Sequence, residues 1–372
     1  MKLTIERAAL LRSLNHVQSV VERRNTIPIL ANVLIDARDG AINLTATDMD
    51  IAIVETGSTT VSAPGATTAP AHTLYDIVRK LPDGAQIDLE TKAENDQLVL
   101  VAGRSRFTLA TLPMEDFPSM SAGDMPHTFQ IPASELRSLM DRTRFAISTE
   151  ETRYYLNGIY LHTTEADGIP VLRAAATDGH RLARVEMPLP VGAEGMPGVI
   201  IPRKTVAELR KLIDESDDVV NISLSDTKIQ FAFDGAVLTS KLIDGTFPDY
   251  EKVIPVGNDK FLEVNCIDFA KAVDRVATIS TERSRSIKLK LDANVLTLSA
   301  SSPDNGTAVE EIEVAYDKAA LEIGFNSRYL LDITQQMEGE TAQMAMSDGA
   351  SPTIVRDSSD DSALYVLMPM RV

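Results

Sequence analysis

Cysteine is almost absent from this sequence: Cys266 is the single one in 372 residues. One thiol excludes an internal disulfide, fits a reducing cytoplasm and leaves no second cysteine at metal-ligand spacing. The five histidines are scattered along the chain, so no zinc site is legible either. No run of 18 apolar residues occurs, which removes a membrane-spanning helix. Lys2, Glu6 and Arg7 put charges where an export signal needs an apolar stretch, so export is not expected. Also missing are the Gly-x-Ser-x-Gly elbow of hydrolases, the Gly-rich loop ending in Gly-Lys that holds phosphates, and the Gly-x-Gly-x-x-Gly fingerprint of dinucleotide sites. Basic residues are outnumbered by acidic ones, 36 to 54, for a formal net charge of −18. Taken over the whole chain, that balance argues against nucleic acid as a partner.

What the chain does contain is a repeat. The apolar fraction of 44% and the length leave room for two or three domains, each with its own core. Ala176-Thr177-Asp178-Gly179-His180-Arg181-Leu182 reads as a strand running into an Asp-Gly turn. Leu44-Thr45-Ala46-Thr47-Asp48-Met49-Asp50-Ile51 has the same shape in the first third, and Leu298 to Pro303 is a looser third version. Helical stripes recur in step: Leu10, Leu14, Val17 and Val21, then Leu136, Leu139, Met140, Thr143 and Ile147, then Phe269, Val273, Val276 and Ser280. Each repeat has a second short helix, after Pro70, after Pro202 and around Leu330, Ile333 and Met337, with alternating strands between. Phe117-Pro118 and Phe247-Pro248 close the first two copies. The period is too long for a solenoid. The reading is α+β: three duplicated domains, each of two helices packed on antiparallel sheets, over residues 1–125, 126–252 and 253–372.

Charge is not spread evenly over this pattern. The polar faces of the first helices hold Arg12, His16, Ser19 and Arg23 with Arg24, then Arg137, Asp141 and Arg144 with Arg142 nearby, then Lys271, Arg275, Thr278 and Glu282 followed by Arg283 and Arg285. The second helices add Arg79, Lys80, Arg203, Lys204, Arg210 and Lys211. All six sum to roughly +5, so strands and loops carry roughly −23. A solvated face explains any one helix; six leaning positive in an acidic chain suggest a shared basic surface. Such a surface suits a phosphate backbone without base reading, because no recognition helix or aromatic stacking patch accompanies it.

Candidate chemistry is thin. Asp178 with His180 could suggest a hydrolase, but Asp-Gly-His in a turn is far more often structural. Asp48-Met49-Asp50 begins like a calcium loop and lacks the later ligands and the glycine. Two other stretches stand out: Arg153-Tyr154-Tyr155-Leu156-Asn157-Gly158, and the apolar Tyr365 to Val372, where termini are usually polar. Methionines and prolines around a small apolar surface suit adaptable peptide binding.

Together, Pro28-Ile29-Leu30, Pro64 to Thr68, Gly103-Arg104-Ser105-Arg106-Phe107, Arg153 to Gly158, Ala176 to Leu182, Phe247-Pro248-Asp249-Tyr250 and Met368-Pro369-Met370-Arg371 resemble the bacterial sliding clamp family, the beta subunit of DNA polymerase III, over the whole chain. The resemblance implies a cytoplasmic, non-enzymatic replication factor without cofactor or metal. It further implies a head-to-tail homodimer closed into a ring around double-stranded DNA, held without regard to sequence, a heterologous interface that closes. Its partners would be the polymerase III alpha subunit, the clamp loader and other proteins with a clamp-binding motif. By position, a partner-peptide groove would use Leu156, Thr177, Gly179, His180, Arg181, Leu182, Pro248, Val253, Val366, Leu367, Met368, Pro369 and Met370. DNA contacts would fall on Arg24, Tyr154 and Tyr155. The dimer seam would set Phe107 and Leu109 of one copy against Thr278 and Ile279 of the other. Two positions depart from well-known members, which carry Gln where this chain has Glu150 and Arg where it has His72. A carboxylate facing phosphate is unfavourable, so Glu150 is not expected to touch DNA. The competing reading from another class is an acidic scaffold that never meets DNA.

Overall fold

A computed structural model of the chain describes residues 1–92, 96–121, 123–215, 218–280 and 285–371. Glu282 and Arg283, read above as helix-flanking charges, lie outside the described residues. Among the described residues there are six α-helices: α1 (Arg7–Gln18), α2 (Ala71–Lys80), α3 (Ala133–Arg144), α4 (Arg203–Leu212), α5 (Cys266–Ala277) and α6 (Ser327–Thr334). Each follows a strand directly. The last strand residue or the first polar residue turns the chain: Asn265 accepts hydrogen bonds from the Ile267 and Asp268 amides at 3.1 Å each, and Asn326 accepts one from Arg328 N at 3.0 Å. Within the helices the stripes read from the sequence are the buried faces; Val21, Ile147 and Ser280, expected to extend them, lie beyond the ends of α1, α3 and α5, and Ser280 is half-buried. Leu10, Leu14 and Val17 are fully buried on α1, and Phe269, Val273 and Val276 nearly so on α5. Burying such side chains contributes about 1.5–3 kcal/mol each. α1 packs on α2 and α5 on α6.

The chain forms two compact units. The first holds residues 1–137, 190–197 and 204–242. It contains a five-stranded antiparallel sheet ordered Thr60–Ala63, Lys2–Glu6, Gln86–Lys92, Gln97–Ala102, Ser105–Ala110. It also contains an eight-stranded sheet ordered His127–Pro132, Val219–Leu224, Lys228–Phe233, Ala236–Lys241, Ile51–Ser58, Ala41–Thr47, Asn32–Arg38, Gly65–Pro70. Ala236–Lys241 of the second repeat pairs antiparallel with Ile51–Ser58 of the first, Leu238 opposite Ile53.

The second unit holds residues 138–189, 198–203 and 243–372. Its eight-stranded sheet runs Val199–Pro202, Gly158–Ala166, Ile169–Thr177, Arg181–Pro188, Asp360–Leu367, Thr353–Asp357, Thr341–Met346, Lys260–Asn265. A four-stranded sheet runs Gly306–Glu313, Val295–Ser302, Ser286–Asp292, Leu321–Asn326. The third-repeat strand Asp360–Leu367 pairs with second-repeat Arg181–Pro188, Leu182 opposite Val366. Each large sheet is thus a splice of two repeats at the same place.

The sequence reading missed the strands Thr60–Ala63, Gly65–Pro70, Val199–Pro202, Leu321–Asn326, Thr341–Met346 and Thr353–Asp357. It also misplaced His16. That side chain is buried and its Nδ1 lies 2.5 Å from Glu55 Oε1, itself buried, so it faces the sheet and not solvent. Arg142 is likewise buried, bonded to Asp360 Oδ2 at 2.6 Å and Ser362 Oγ at 3.1 Å. The basic surface is thinner than the count of charges implied. Lys204 is held by Asp48 (2.5 Å) and Glu22 (3.2 Å), Lys211 by Glu208, Arg210 by Asp214, and Arg275 by Glu310.

Candidate peptide-binding groove

The Thr-Asp repeat is a rigid turn built twice. Asp178 Oδ1 accepts from the His180 and Arg181 amides at 2.9 and 3.0 Å. The Thr177 hydroxyl donates to Arg181 O at 2.7 Å and accepts from Gly179 N at 3.1 Å. In the first unit Asp48 Oδ1 takes the Asp50 and Ile51 amides at 2.9 and 2.8 Å, while Thr47 bonds Ile51 O (2.8 Å) and Met49 N (3.0 Å). Both turns need a left-handed third residue: Gly179 has φ +87° and Met49 φ +78°. Asp178 therefore satisfies backbone amides, and His180 stacks on Tyr329 with ring centroids 6.5 Å apart. Neither is arranged for hydrolysis.

Arg181 is immobilised from every side. Its guanidinium bonds Asp178 (3.2 Å), Asp332 (2.5 Å) and Phe145 O (2.5 Å), and lies over the rings of Tyr329 at 4.3 Å and Phe145 at 5.1 Å. The turn and the strand behind it, Arg181–Pro188, are held in one position.

The segment after Leu242 crosses this sheet face and is fastened to it. Phe247 stacks on Tyr160 (4.9 Å, 9°). The Tyr250 hydroxyl bonds His162 Nε2 at 2.8 Å and Arg173 Nη1 at 3.3 Å, and Arg173 also holds Glu251 at 2.5 Å and Glu186 at 2.9 Å. Burial raises the Tyr250 pKa above its ordinary value and lowers that of His162; the uncharged phenol and imidazole are the forms that share this bond. Leu156, Ala175, Leu182, Ile200, Phe247, Tyr250, Leu364 and Val366 form the buried apolar floor beneath.

Between the turn, the crossing segment and the last strand lies a cavity of about 220 Å³. Leu156, Thr177, Gly179, Arg181, Leu182, Pro248, Val253, Val366 and Met368 line it, joined by Asp249 and Tyr250, which sequence reasoning did not place there. Tyr250 was legible as the end of Phe-Pro-Asp-Tyr, but its ring direction depends on Arg173 and His162, far away in sequence. His180, Leu367, Pro369 and Met370 are not among the lining residues. Leu367 is buried and alternates to the opposite face from Val366 and Met368, and Met370 N donates to Gly324 O at 2.9 Å. The walls are apolar, and polar groups at the rim are already bonded to one another. Its shape and lining suit apolar side chains of an extended chain.

The remaining expected residues lie elsewhere. Arg24 is exposed in the first unit, beyond the end of α1. In the second unit Tyr154 is 53% exposed, and Tyr155 sits edge-on to it at 5.8 Å while packing on the groove floor. Glu150 is bonded to Arg153 at 2.6 and 2.8 Å, which draws its pKa below the usual carboxylate value. His72 is half-buried, its ring nitrogens 2.9 Å from Gln18 Oε1 and Val21 O. Phe107 and Leu109 share one face of the edge strand Ser105–Ala110, with Leu109 largely buried. Thr278 is exposed and caps α5; Ile279 O accepts from Asn305 Nδ2 at 3.4 Å.

Repeated α+β domains, one of them carrying an apolar groove fixed by turns and ion pairs and none arranged for hydrolysis at the Asp-Gly-His turn, are the make-up of a scaffold. Three family models match in tandem: the DNA polymerase III beta subunit N-terminal domain over residues 1–121, its central domain over 130–249 and its C-terminal domain over 251–371. The chain is 55% identical over 372 residues to the beta sliding clamp of Caulobacter vibrioides (strain NA1000 / CB15N), covering the whole of both. A crystal structure of the C. crescentus beta sliding clamp matches it with a TM-score of 0.98 at 55% identity, over 100% of this chain and 99% of that one. A Bartonella birtlesii sliding clamp solved with griselimycin gives 0.97 at 51% identity over the full length of both. The chain belongs to the bacterial beta sliding clamp family, the DNA polymerase III beta subunits. It is a DNA polymerase processivity factor and a non-catalytic subunit, built of three clamp domains.

Proposed function

We propose that two copies of this clamp close head to tail into a ring around duplex DNA in the cytoplasm, and that the groove of the second unit tethers the polymerase III alpha subunit, the clamp loader and other proteins with a clamp-binding motif. The observation that carries the tethering is the groove itself: an apolar cavity whose floor is buried core and whose rim is locked by Arg181, Asp178 and Arg173. Domain boundaries near residues 126 and 253 belong to the same reading.

Two edges support the ring. Ser105–Ala110 and Gly306–Glu313 are each the outermost strand of their sheets, and an uncovered edge is a template for another chain. The first carries exposed Arg106 with exposed Arg104 just before it; the second carries exposed Glu311 and Glu313. Set against each other across two copies, the edges are complementary in charge, with Phe107 and Leu109 facing Thr278 and Ile279. Exposed Arg24 and Tyr154, with Tyr155, supply the DNA contacts of this reading, and the Glu150–Arg153 pair explains why Glu150 takes no phosphate.

Loading the protein with clamp loader and ATP onto a nicked circular plasmid, then cutting the plasmid, tests the ring. Co-elution with the circle and loss from the linear form is the expected result. Retention on both forms would show ordinary contact binding, and retention on neither, with a loader active on a known clamp, would refute the reading.

A further inference from the structure

The groove does not end at the crossing segment. Residues opposite each other on neighbouring strands share a face of the sheet, and the register sets six in one row: Thr177, Leu182, Val366, Ile354, Ala345 and Phe261. The row starts in the groove and runs to the outer strand of the same sheet. Its ends differ in exposure: Val366 is 2% exposed and Phe261, on the outer strand, 45%. Ile354, Ala345 and Phe261 line a second depression of about 170 Å³, together with Pro255, Val256, Gln343 and Arg356.

The two depressions have a common wall. Val253 lines the first and Pro255 the second, so at most about 7 Å of chain separates them. Across the sheet, Val366 and Ile354 are one strand apart, about 4.8 Å. Two residues of an extended peptide span that distance. The wall is held in place by Asn258, whose Nδ2 donates to Ala345 O at 2.8 Å and Pro352 O at 3.0 Å. Val256 is fully exposed on it.

Charge distinguishes the second depression from the first. Arg181 in the groove is consumed by its neighbours, whereas Arg356 is exposed and has no ion pair among the described residues. It stands two residues beyond Ile354 on the same strand face.

We propose that the depression bounded by Phe261, Ile354 and Val256 is a second subsite for the same partner chain, taking an apolar side chain from the segment that flanks the groove-bound residues and a neighbouring carboxylate on Arg356. The proposal rests on the groove being a peptide site. It commits the partner to an extended segment carrying an apolar residue beside Asp or Glu, within a few residues of the part seated on Leu182 and Val366.

Overlapping 20-residue peptides covering the polymerase III alpha subunit of the same cell, labelled for fluorescence anisotropy, provide the probe. Met368→Ala marks the peptides that occupy the groove. For those peptides, Arg356→Glu is expected to weaken binding about tenfold, less at high salt, and Phe261→Ser severalfold, with unfolding midpoints unchanged because both side chains are exposed. Replacing the peptide's carboxylate by Lys should restore affinity for Arg356→Glu and not for the wild type. Binding that Met368→Ala weakens but Arg356→Glu and Phe261→Ser leave unchanged overturns the second subsite and keeps the groove. If no peptide binds, the groove reading falls and this one with it.

Discussion

Replacing Gly179 by alanine tests whether the turn at the groove's rim is held by its backbone geometry. Gly179 has φ +87°, a conformation that costs an L-residue about 1–2 kcal/mol. A Cβ there would also lie 2.6 Å from Arg153 Nη1. That guanidinium is the end of a flexible side chain, so it moves and its paired bonds to Glu150 loosen, rather than the sheet deforming. Alanine's lower unfolded-state entropy returns about 0.4–1 kcal/mol, leaving a net loss of about 1 kcal/mol. Such a loss multiplies local opening about fivefold. The assay is amide hydrogen exchange of His180 and Arg181, whose N–H groups bond Asp178. The twin turn supplies the mirror experiment. Met49 already bears a side chain at φ +78° and is 47% exposed, so Met49→Gly should slow exchange at Asp50 and Ile51, about twofold. Unchanged exchange in Gly179→Ala together with faster exchange in Met49→Gly would refute the argument that φ governs these turns.

Three further outcomes follow from the same geometry. Gly158→Ala should cost about 1–3 kcal/mol, read from the urea midpoint, because a Cβ there drives into the Ile201 carbonyl of the adjoining strand, which cannot yield as a side chain does. Met368→Ala should weaken partner-peptide binding by about tenfold with little change in stability, since the side chain is 41% exposed yet lines the groove; calorimetry with the intact alpha subunit checks it. Burial alone would raise the Asp48 pKa, but the Lys204 ammonium and the Ile51 and Asp50 amides hold it below 3.8. A depressed folded pKa gives stability that is present above the unfolded value and lost as pH falls through it. Urea midpoints should therefore decline below about pH 4, and Asp48→Asn should remove part of that decline.

The triple repeat was legible because core stripes and turn chemistry are local. Thr177-Asp178-Gly179 and Thr47-Asp48-Met49 state their turns within five residues, and Leu136, Leu139 and Met140 state a buried helix face. His16 and Arg142 were not legible in the same way. Helical spacing puts His16 with polar neighbours and Arg142 beside a polar face, and what buries them, Glu55 for one and Asp360 for the other, is remote in sequence. The same limit applies to the groove. Its residues could be carried over from the family resemblance, but the row from Leu182 through Ile354 to Phe261 exists only in the strand register, and two of its strands, Thr341–Met346 and Thr353–Asp357, left no alternation clear enough to read.

The splice of Ala236–Lys241 onto Ile51–Ser58 has a consequence for synthesis. When the ribosome has made the first repeat, Ile51–Ser58 is paired on one side only, and the strand that covers its other side comes roughly 180 residues later. At about 5–20 residues per second, that edge waits on the order of 10–40 s for its partner. An edge left open for that long is a template for wrong pairing, and the first domain's sheet reaches its finished form only after Ala236–Lys241 of the second has left the ribosome.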